Sequence, residues 1–312
     1  MDKSPFFSDP DIHELQTIKE KNLECMPERR RQIPVRPKFI GGHLKAKAPM
    51  PYMQCNMKHG LIANGQLNED IKMYKRFFRD PKYMGKGVFV EMGGLDGVSI
   101  SNSYIFEQCL GWSGMLLEAN PENFKNMVHN RPCATNKWCA ACSGDQNYLY
   151  ITNHHGKSRV IHSLEEFEDI KARHQNEYSW HNLTSFTRTP CCNMADVFAE
   201  HNITWIDFFS LDVEGSEIDV LRSIDWSKVH VEVMIVETAK HIEGKGIEGR
   251  NKDDEVEKVL TEQAGMIRLP TSATGIPQCQ LDRKKLPSGV YNLHMSNLYV
   301  APALRDDICA PG

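Results

Sequence analysis

Gly87-Val88-Phe89-Val90-Glu91-Met92-Gly93-Gly94-Leu95-Asp96-Gly97 is an apolar run that breaks into glycines around an acid. Val88, Phe89 and Val90 suit a strand buried in a parallel sheet, while Gly93, Gly94 and Gly97 permit a tight turn and close approach of backbone to ligand. Glycine-rich turns also close ordinary strand–helix units, so this stretch needs a second element. Met115-Leu116-Leu117-Glu118 supplies it: an apolar run ending in a carboxylate about 25 residues past Gly93, near the spacing at which βαβ units set an acid on a ribose hydroxyl pair. Residues 101–110 between them are helical in pattern and are closed by Gly111. Glu91 and Asp96 put negative charge where a dinucleotide's diphosphate would lie, which disfavours a nicotinamide cofactor and favours one carrying positive charge.

Farther along, Ile206-Asp207-Phe208-Phe209-Ser210-Leu211 is a mainly apolar stretch, expected as a central strand buried on both faces, and it ends in Asp212-Val213-Glu214-Gly215. Residues 232–236 make a further strand ending in Glu237. Glu118, Asp212 and Glu237 thus terminate three parallel strands, at the sheet edge where ligands of open α/β folds bind. Capping of following helices would account for one or two of these acids more readily than for all three.

Helices are expected over residues 66–79, 121–130, 163–173, 194–201, 217–224 and 253–264. Strands are expected over 138–143, 148–152, 266–269 and 296–301, with a turn at 144–145 and a glycine- and charge-rich loop over 244–251. Residues 1–65 read as an N-terminal extension: a short amphipathic helix around 11–24, then Arg29-Arg30-Arg31 and a proline-broken stretch that makes a solvated arm. Residues 66–312 form the main domain, with a polar, histidine-rich insertion at about 153–189 that is either a lid or surface decoration. His154 and His155 within it are expected to face solvent.

The chain has 312 residues, 40% of them hydrophobic, enough for one large α/β core. A net charge of −4 offers no global attraction to nucleic acid or an anionic membrane. No apolar run approaches the roughly 20 residues that span a bilayer, and residues 1–30 lack the apolar segment of a signal peptide, so a soluble cytoplasmic location is the default expectation. Ten cysteines are too few for a disulfide scaffold, and buried free thiols are expected. Cys139-Ala-Ala-Cys142 has zinc-ligand spacing but lacks a second such pair, since Cys191 and Cys192 are adjacent; a disulfide from Cys133 or Cys139 to that pair is the intermediate case. The triplets Asn182-Leu-Thr and Asn202-Ile-Thr are glycosylation sequons that matter only in a secretory compartment.

Three motifs agree in order and spacing: Phe89-Val90-Glu91-Met92-Gly93-Gly94-Leu95-Asp96-Gly97-Val98-Ser99, then Gly111-Trp112-Ser113-Gly114 with Leu117-Glu118-Ala119-Asn120-Pro121, then residues 206–217 around Asp212-Val213-Glu214-Gly215. Together, across roughly residues 70–301, they resemble the FkbM family of S-adenosylmethionine-dependent methyltransferases. The resemblance implies a Rossmann-like class I methyltransferase fold, a seven-stranded, mostly parallel sheet with an antiparallel last strand and helices on both faces. It implies S-adenosylmethionine as cofactor, with Glu118 accepting from both ribose hydroxyls and the backbone of Gly93, Gly94 and Gly97 against the methionine moiety. Glu91 or Asp96 would anchor the ammonium end, Ser101, Ala119 and Asn120 would share the pocket, and Cys142 and Ser143 would border the adenine.

Methyl transfer to a hydroxyl needs a base, for which Asp212, Glu214, Glu237 and His241 are the candidates. No resident metal is assigned; Mg²⁺ held by Asp212 with Glu237 or His241 is an alternative way to lower the hydroxyl pKa. The expected acceptor is a small molecule or glycan, such as a sugar, a glycolipid or another natural product, with no nucleic-acid partner. The rival expectation is a non-catalytic interaction or trafficking module that keeps the fold.

Overall fold

The computed structural model describes residues 7–8, 64–78, 80–83, 85–142, 147–153, 158–161, 163–174, 185–237, 246–269 and 296–304. Its strands are β1 (Phe7–Ser8), β2 (Val88–Met92), β3 (Ser113–Glu118), β4 (Thr135–Trp138), β5 (Ala140–Ala141), β6 (Tyr148–Thr152), β7 (Val160–Ile161), β8 (Phe186–Cys192), β9 (Trp205–Leu211), β10 (His230–Glu237), β11 (Ile267–Leu269) and β12 (Ser296–Val300). Its helices are α1 (Glu69–Phe77), α2 (Tyr104–Leu110), α3 (Pro121–Asn130), α4 (Leu164–His174), α5 (Met194–Glu200), α6 (Glu217–Arg222) and α7 (Gly246–Glu262).

Seven strands form the main sheet in the order β11-β12-β10-β9-β2-β3-β4. The pairs β10–β9, β9–β2, β2–β3 and β3–β4 are parallel, and β12 runs antiparallel to both its neighbours. This is the expected sheet. Strand order reverses between β2 and β9, so the first strand–turn unit and the Asp212 unit meet at a topological switch point. β9 sits in the middle because its sequence is apolar on both faces: Phe208 packs toward α1, α2 and α3, whereas Phe209 and Leu211 pack toward α5, α6 and α7. Val90 and Met92 alternate with Phe89 in the same way on β2.

A second, smaller sheet runs β1-β8-β6-β7, with β5 also pairing to β8. α4 covers it through Phe167 and Ile170, which pack with Ile161, Tyr150 and Phe186. Two departures from expectation meet here. The strand expected over 138–143 is split at Cys139, and the part within the main sheet is β4, a polar edge strand with the sequence Thr-Asn-Lys-Trp. Ala140 and Ala141 leave the main sheet to pair with Cys191 and Cys192 of β8.

Disulfides Cys139–Cys192 and Cys142–Cys191 hold that junction, with Cα–Cα distances of 5.8 Å in both. Cys109 and Cys133 are also disulfide-bonded, so all six described cysteines are oxidised and the expectation of free thiols fails. Apolar burial does suit cysteine, but here adjacent cysteines on β8 face Cys139 and Cys142, which flank β5, and the parallel pairing brings each pair within bonding reach.

The loop expected over 244–251 is helical from Gly246 onward. Gly246 and Gly249 each cost a helix about 1 kcal/mol relative to alanine, and burial of Val256, Val259 and Leu260 in the core offsets this. Among the described residues, no helix is long and apolar enough to cross a membrane. The helix expected around 11–24, the 144–145 turn, His154 and His155 lie outside the described residues.

Candidate active site

The turn after β2 is shaped by contacts that leave no room for side chains. Gly93 has φ 82°, and a Cβ there would fall 1.8 Å from the Asp212 carbonyl oxygen. The Gly93 and Gly94 N–H groups donate to the Leu117 carbonyl at 3.0 and 3.1 Å, and the Asp212 N–H donates to the Met92 carbonyl at 3.1 Å. The tips of β2, β3 and β9 are thereby laced together. Gly97 has φ 79°, and its missing Cβ would press on Arg131 and Met127 of the α3 region.

Beneath this turn lies a buried polar network. Arg131, fully buried, pairs with Glu107 and donates to the Gly97 carbonyl at 2.8 Å, Ser101 Oγ at 3.3 Å and Ser103 Oγ at 3.2 Å. Ser101 and Ser103 donate in turn to Glu91, each at 2.6 Å, and the Asn102 N–H donates to its other oxygen at 2.6 Å. Both Glu91 oxygens are occupied in tying the glycine turn to the start of α2. Asp96 accepts from the Val98 and Ser99 N–H groups at 2.9 and 2.6 Å and from Ser99 Oγ at 2.8 Å, fixing the far side of the turn.

A cavity of about 260 Å³ opens above the strand tips. Of the residues expected in the site, Gly93, Glu118, Ala119, Asp212, Glu214 and Glu237 line it. Glu91, Gly94, Asp96, Gly97, Ser101, Asn120 and Cys142 stand behind that lining, and Ser143 and His241 lie outside the described residues. Asn120 acts at one remove: its side chain caps α3 by accepting from the Glu122 and Asn123 N–H groups, and its Nδ2 donates to Ser158 Oγ at 3.2 Å. Cys142 is bonded to Cys191, so it offers no thiol.

Glu118 is buried and held by the Leu95 and Asn120 N–H groups, each donating to one carboxylate oxygen at 2.8 Å. Burial nevertheless dominates and pushes its pKa up to about 7. Asp212 is raised well above the usual carboxylate range, first by burial and then by the neighbouring charges of Glu237 and Glu214. Asp212 and Glu237 are hydrogen-bonded to one another, which requires a shared proton.

Sequence reasoning missed Glu217, whose carboxylate groups with those of Asp212 and Glu237, the ligand atoms lying within 4.8 Å of one another. Glu217 Oε1 also accepts from the Val213 and Gly215 N–H groups at 3.1 Å, holding the turn where Glu214 has φ 56°. Its place at the end of the third motif was the available signal. Ile151, Ser158, Arg159 and Val160, contributed by the small sheet, form another wall, and no pattern in the sequence pointed to them.

No functionally curated protein matches the sequence. Among solved structures, the chain is similar to a Bacillus cereus O-methyltransferase in complex with SAH, at 9% identity over 93% of this chain and 90% of that one, with a TM-score of 0.35. It is similar to the FkbM methyltransferase of Methylobacillus flagellatus KT, at 10% identity over 75% of this chain and 53% of that one, with a TM-score of 0.36. It is also similar to Aeropyrum pernix fibrillarin with natively bound S-adenosyl-L-methionine, at 11% identity over 76% and 74%, with a TM-score of 0.34. The sequence model of the methyltransferase FkbM domain matches residues 91–266, more than half of the chain and spanning the turn, Glu118 and Asp212. The chain belongs to the FkbM methyltransferase family.

Proposed function

We propose that this chain transfers a methyl group from S-adenosylmethionine to a hydroxyl of a small-molecule or glycan acceptor. The observation that carries the proposal is the meeting of Glu118 and Asp212, 94 residues apart by their numbers, in one cavity beside Gly93. The donor set suits the cofactor: the carboxylates accept hydrogen bonds, and the ligand brings hydroxyl donors and positive charge. When bound, S-adenosylmethionine supplies an activated methyl on a sulfonium, a leaving group that needs no protonation.

The protein's own contribution is then alignment and proton removal. Glu118, pinned by two N–H groups, presents its carboxylate to the ribose hydroxyls. The Asp212–Glu237 pair takes the acceptor's proton. Asp212 and Glu237 hold one proton between them and keep one negative charge, and that charge, disfavoured by burial, receives the acceptor's proton. The carboxylates of Asp212, Glu217 and Glu237 also have the oxygen chemistry that a hard divalent cation prefers, which favours a second arrangement in which Mg²⁺ acidifies the hydroxyl.

Calorimetry with S-adenosylmethionine on the full chain tests the cofactor, and absence of both heat and melting shift would favour a non-catalytic module. Screening hydroxylated acceptors with labelled cofactor then gives turnover. Asp212→Asn should lower kcat about 10² to 10⁴-fold and leave cofactor affinity nearly unchanged, the range for loss of a positioned base. Equal losses in both would place Asp212 on the cofactor instead. Turnover that survives a chelator removes the metal route.

A further inference from the structure

We propose that Asn202 is an N-glycosylation site and that the protein works in an oxidising compartment. Two independent sets of observations meet at this residue. The first is redox: Cys139–Cys192 and Cys142–Cys191 are both formed, and Cys109 and Cys133 are bonded as well. Disulfides of this density persist where thiols are not continually reduced, in the secretory pathway or outside the cell.

The second is the geometry of Asn202-Ile203-Thr204. Asn202 and Thr204 are exposed, while Ile203 between them packs against the main core. The backbone is fixed by the Asn202 N–H donating to the Ala199 carbonyl, the Ile203 N–H to the Phe198 carbonyl, and the His230 N–H to the Thr204 carbonyl. Asn202 sits at φ 53°, a conformation that asparagine tolerates better than most residues. The side-chain amide makes no hydrogen bond among the described residues, and both it and Thr204 are open to solvent. One residue beyond, Trp205 is 48% exposed and stacks on His230 with ring centroids 4.0 Å apart.

The position also keeps the glycan clear of the cavity. Asn202 precedes the first residue of β9, whereas Asp212 follows its last, and seven strand residues separate the two sheet edges by roughly 20 Å. In the modification, the Asn202 amide nitrogen bonds to the anomeric carbon of a lipid-diphosphate-linked oligosaccharide. The sugar's carbon–oxygen bond to the diphosphate breaks, the lipid diphosphate departs, and the amide proton is released. No oxidant or reductant is consumed.

The full chain, secreted from insect cells behind a supplied leader, provides the test. Peptide N-glycosidase digestion in heavy-oxygen water should convert Asn202 to labelled Asp, read in the peptide that carries it and resolved from the Asn182 peptide. Thr204→Ala, which leaves the backbone at Asn202 untouched, should abolish the label, Thr204→Ser should keep it, and both variants should bind S-adenosylmethionine as the parent does. The same peptide from protein isolated from its native cells should carry the same mark. Secreted protein with its disulfides formed and Asn202 bare would overturn the proposal, as would native protein whose Cys139, Cys142, Cys191 and Cys192 are free thiols.

Discussion

The two sheets of this molecule meet at one cavity and are built by different physics. The main sheet is held by area: Val90, Leu117, Phe209 and Met234 are almost wholly buried in a core that continues through three helices on either face. Among the described residues, the small sheet has a core cluster of buried Ile161, Phe167 and Ile170, and two covalent bonds where it joins β4. The large sheet carries the acids of the site, and among the described residues the small one contributes a wall of Ile151, Ser158, Arg159 and Val160. Chemistry therefore rests on the part with the larger packed core, and shape rests on the part that is stapled where it joins the main sheet.

Removing the staples should produce the largest effect. Cys139–Cys192 spans 53 residues, and closing a loop of that length stabilises by about 4 kcal/mol through the unfolded chain. Cys142–Cys191 is nested inside it, so it closes only a few additional residues and adds about 2 kcal/mol. With all four cysteines changed to serine, hydrogen exchange should show β6, β7 and β8 opening early while β9 and β10 stay protected. Loss of protection in both sheets together would erase the distinction between them.

That contrast also sets what the sequence made legible. Phe89 to Met92, Met115 to Glu118 and Ile206 to Leu211 are mainly apolar stretches, broken only by Glu91, Glu118, Asp207 and Ser210, which is how a buried parallel strand reads in sequence. Glu118, Asp212 and Glu237 were legible because a carboxylate at the end of such a run stands at a predictable edge. The small sheet hides because its pairing is made at a distance. β8 contains Pro190 and polar alternation, β1 comes from nearly two hundred residues upstream, and the two-residue strands β5 and β7 carry no period at all. Glu217 was hidden for another reason: a carboxylate at the first position of a helix reads as favourable end charge whether or not it also faces a cavity.

The second effect should come from beneath the glycine turn, where the main sheet departs from its own rule and buries a charge. Arg131→Ala leaves Glu107 buried without its partner and removes the donors to Gly97, Ser101 and Ser103, so stability should fall by about 3–5 kcal/mol. Denaturant midpoints measure this. Arg131→Met combined with Glu107→Gln should recover much of the loss, because the unpaired charge is gone. If the double variant regains stability but binds S-adenosylmethionine poorly, the network serves to shape the turn. If Arg131→Ala alone costs under about 1 kcal/mol, the polar layer carries little of the large sheet's strength.

The smallest effect separates the two demands placed on Glu118. Its pKa rises from 4.5 unfolded to about 7 folded, because burial disfavours the charge more than the hydrogen bonds from Asn120, Leu95, Ala119 and Asn123 favour it. Between these values the folded chain holds a proton that the unfolded chain has released, so this residue's contribution to stability declines as pH rises from 4.5 to 7. Under the proposed function ribose hydroxyls would donate to the ionised carboxylate, so cofactor affinity should move oppositely and strengthen as pH rises, about tenfold per unit below pH 7 and then levelling. Glu118→Gln should flatten both curves at once, whereas Asp212→Asn should leave the Glu118 step in place. An affinity profile unchanged by Glu118→Gln would move the ribose elsewhere in the cavity and leave the acid at the end of β3 with a purely structural task.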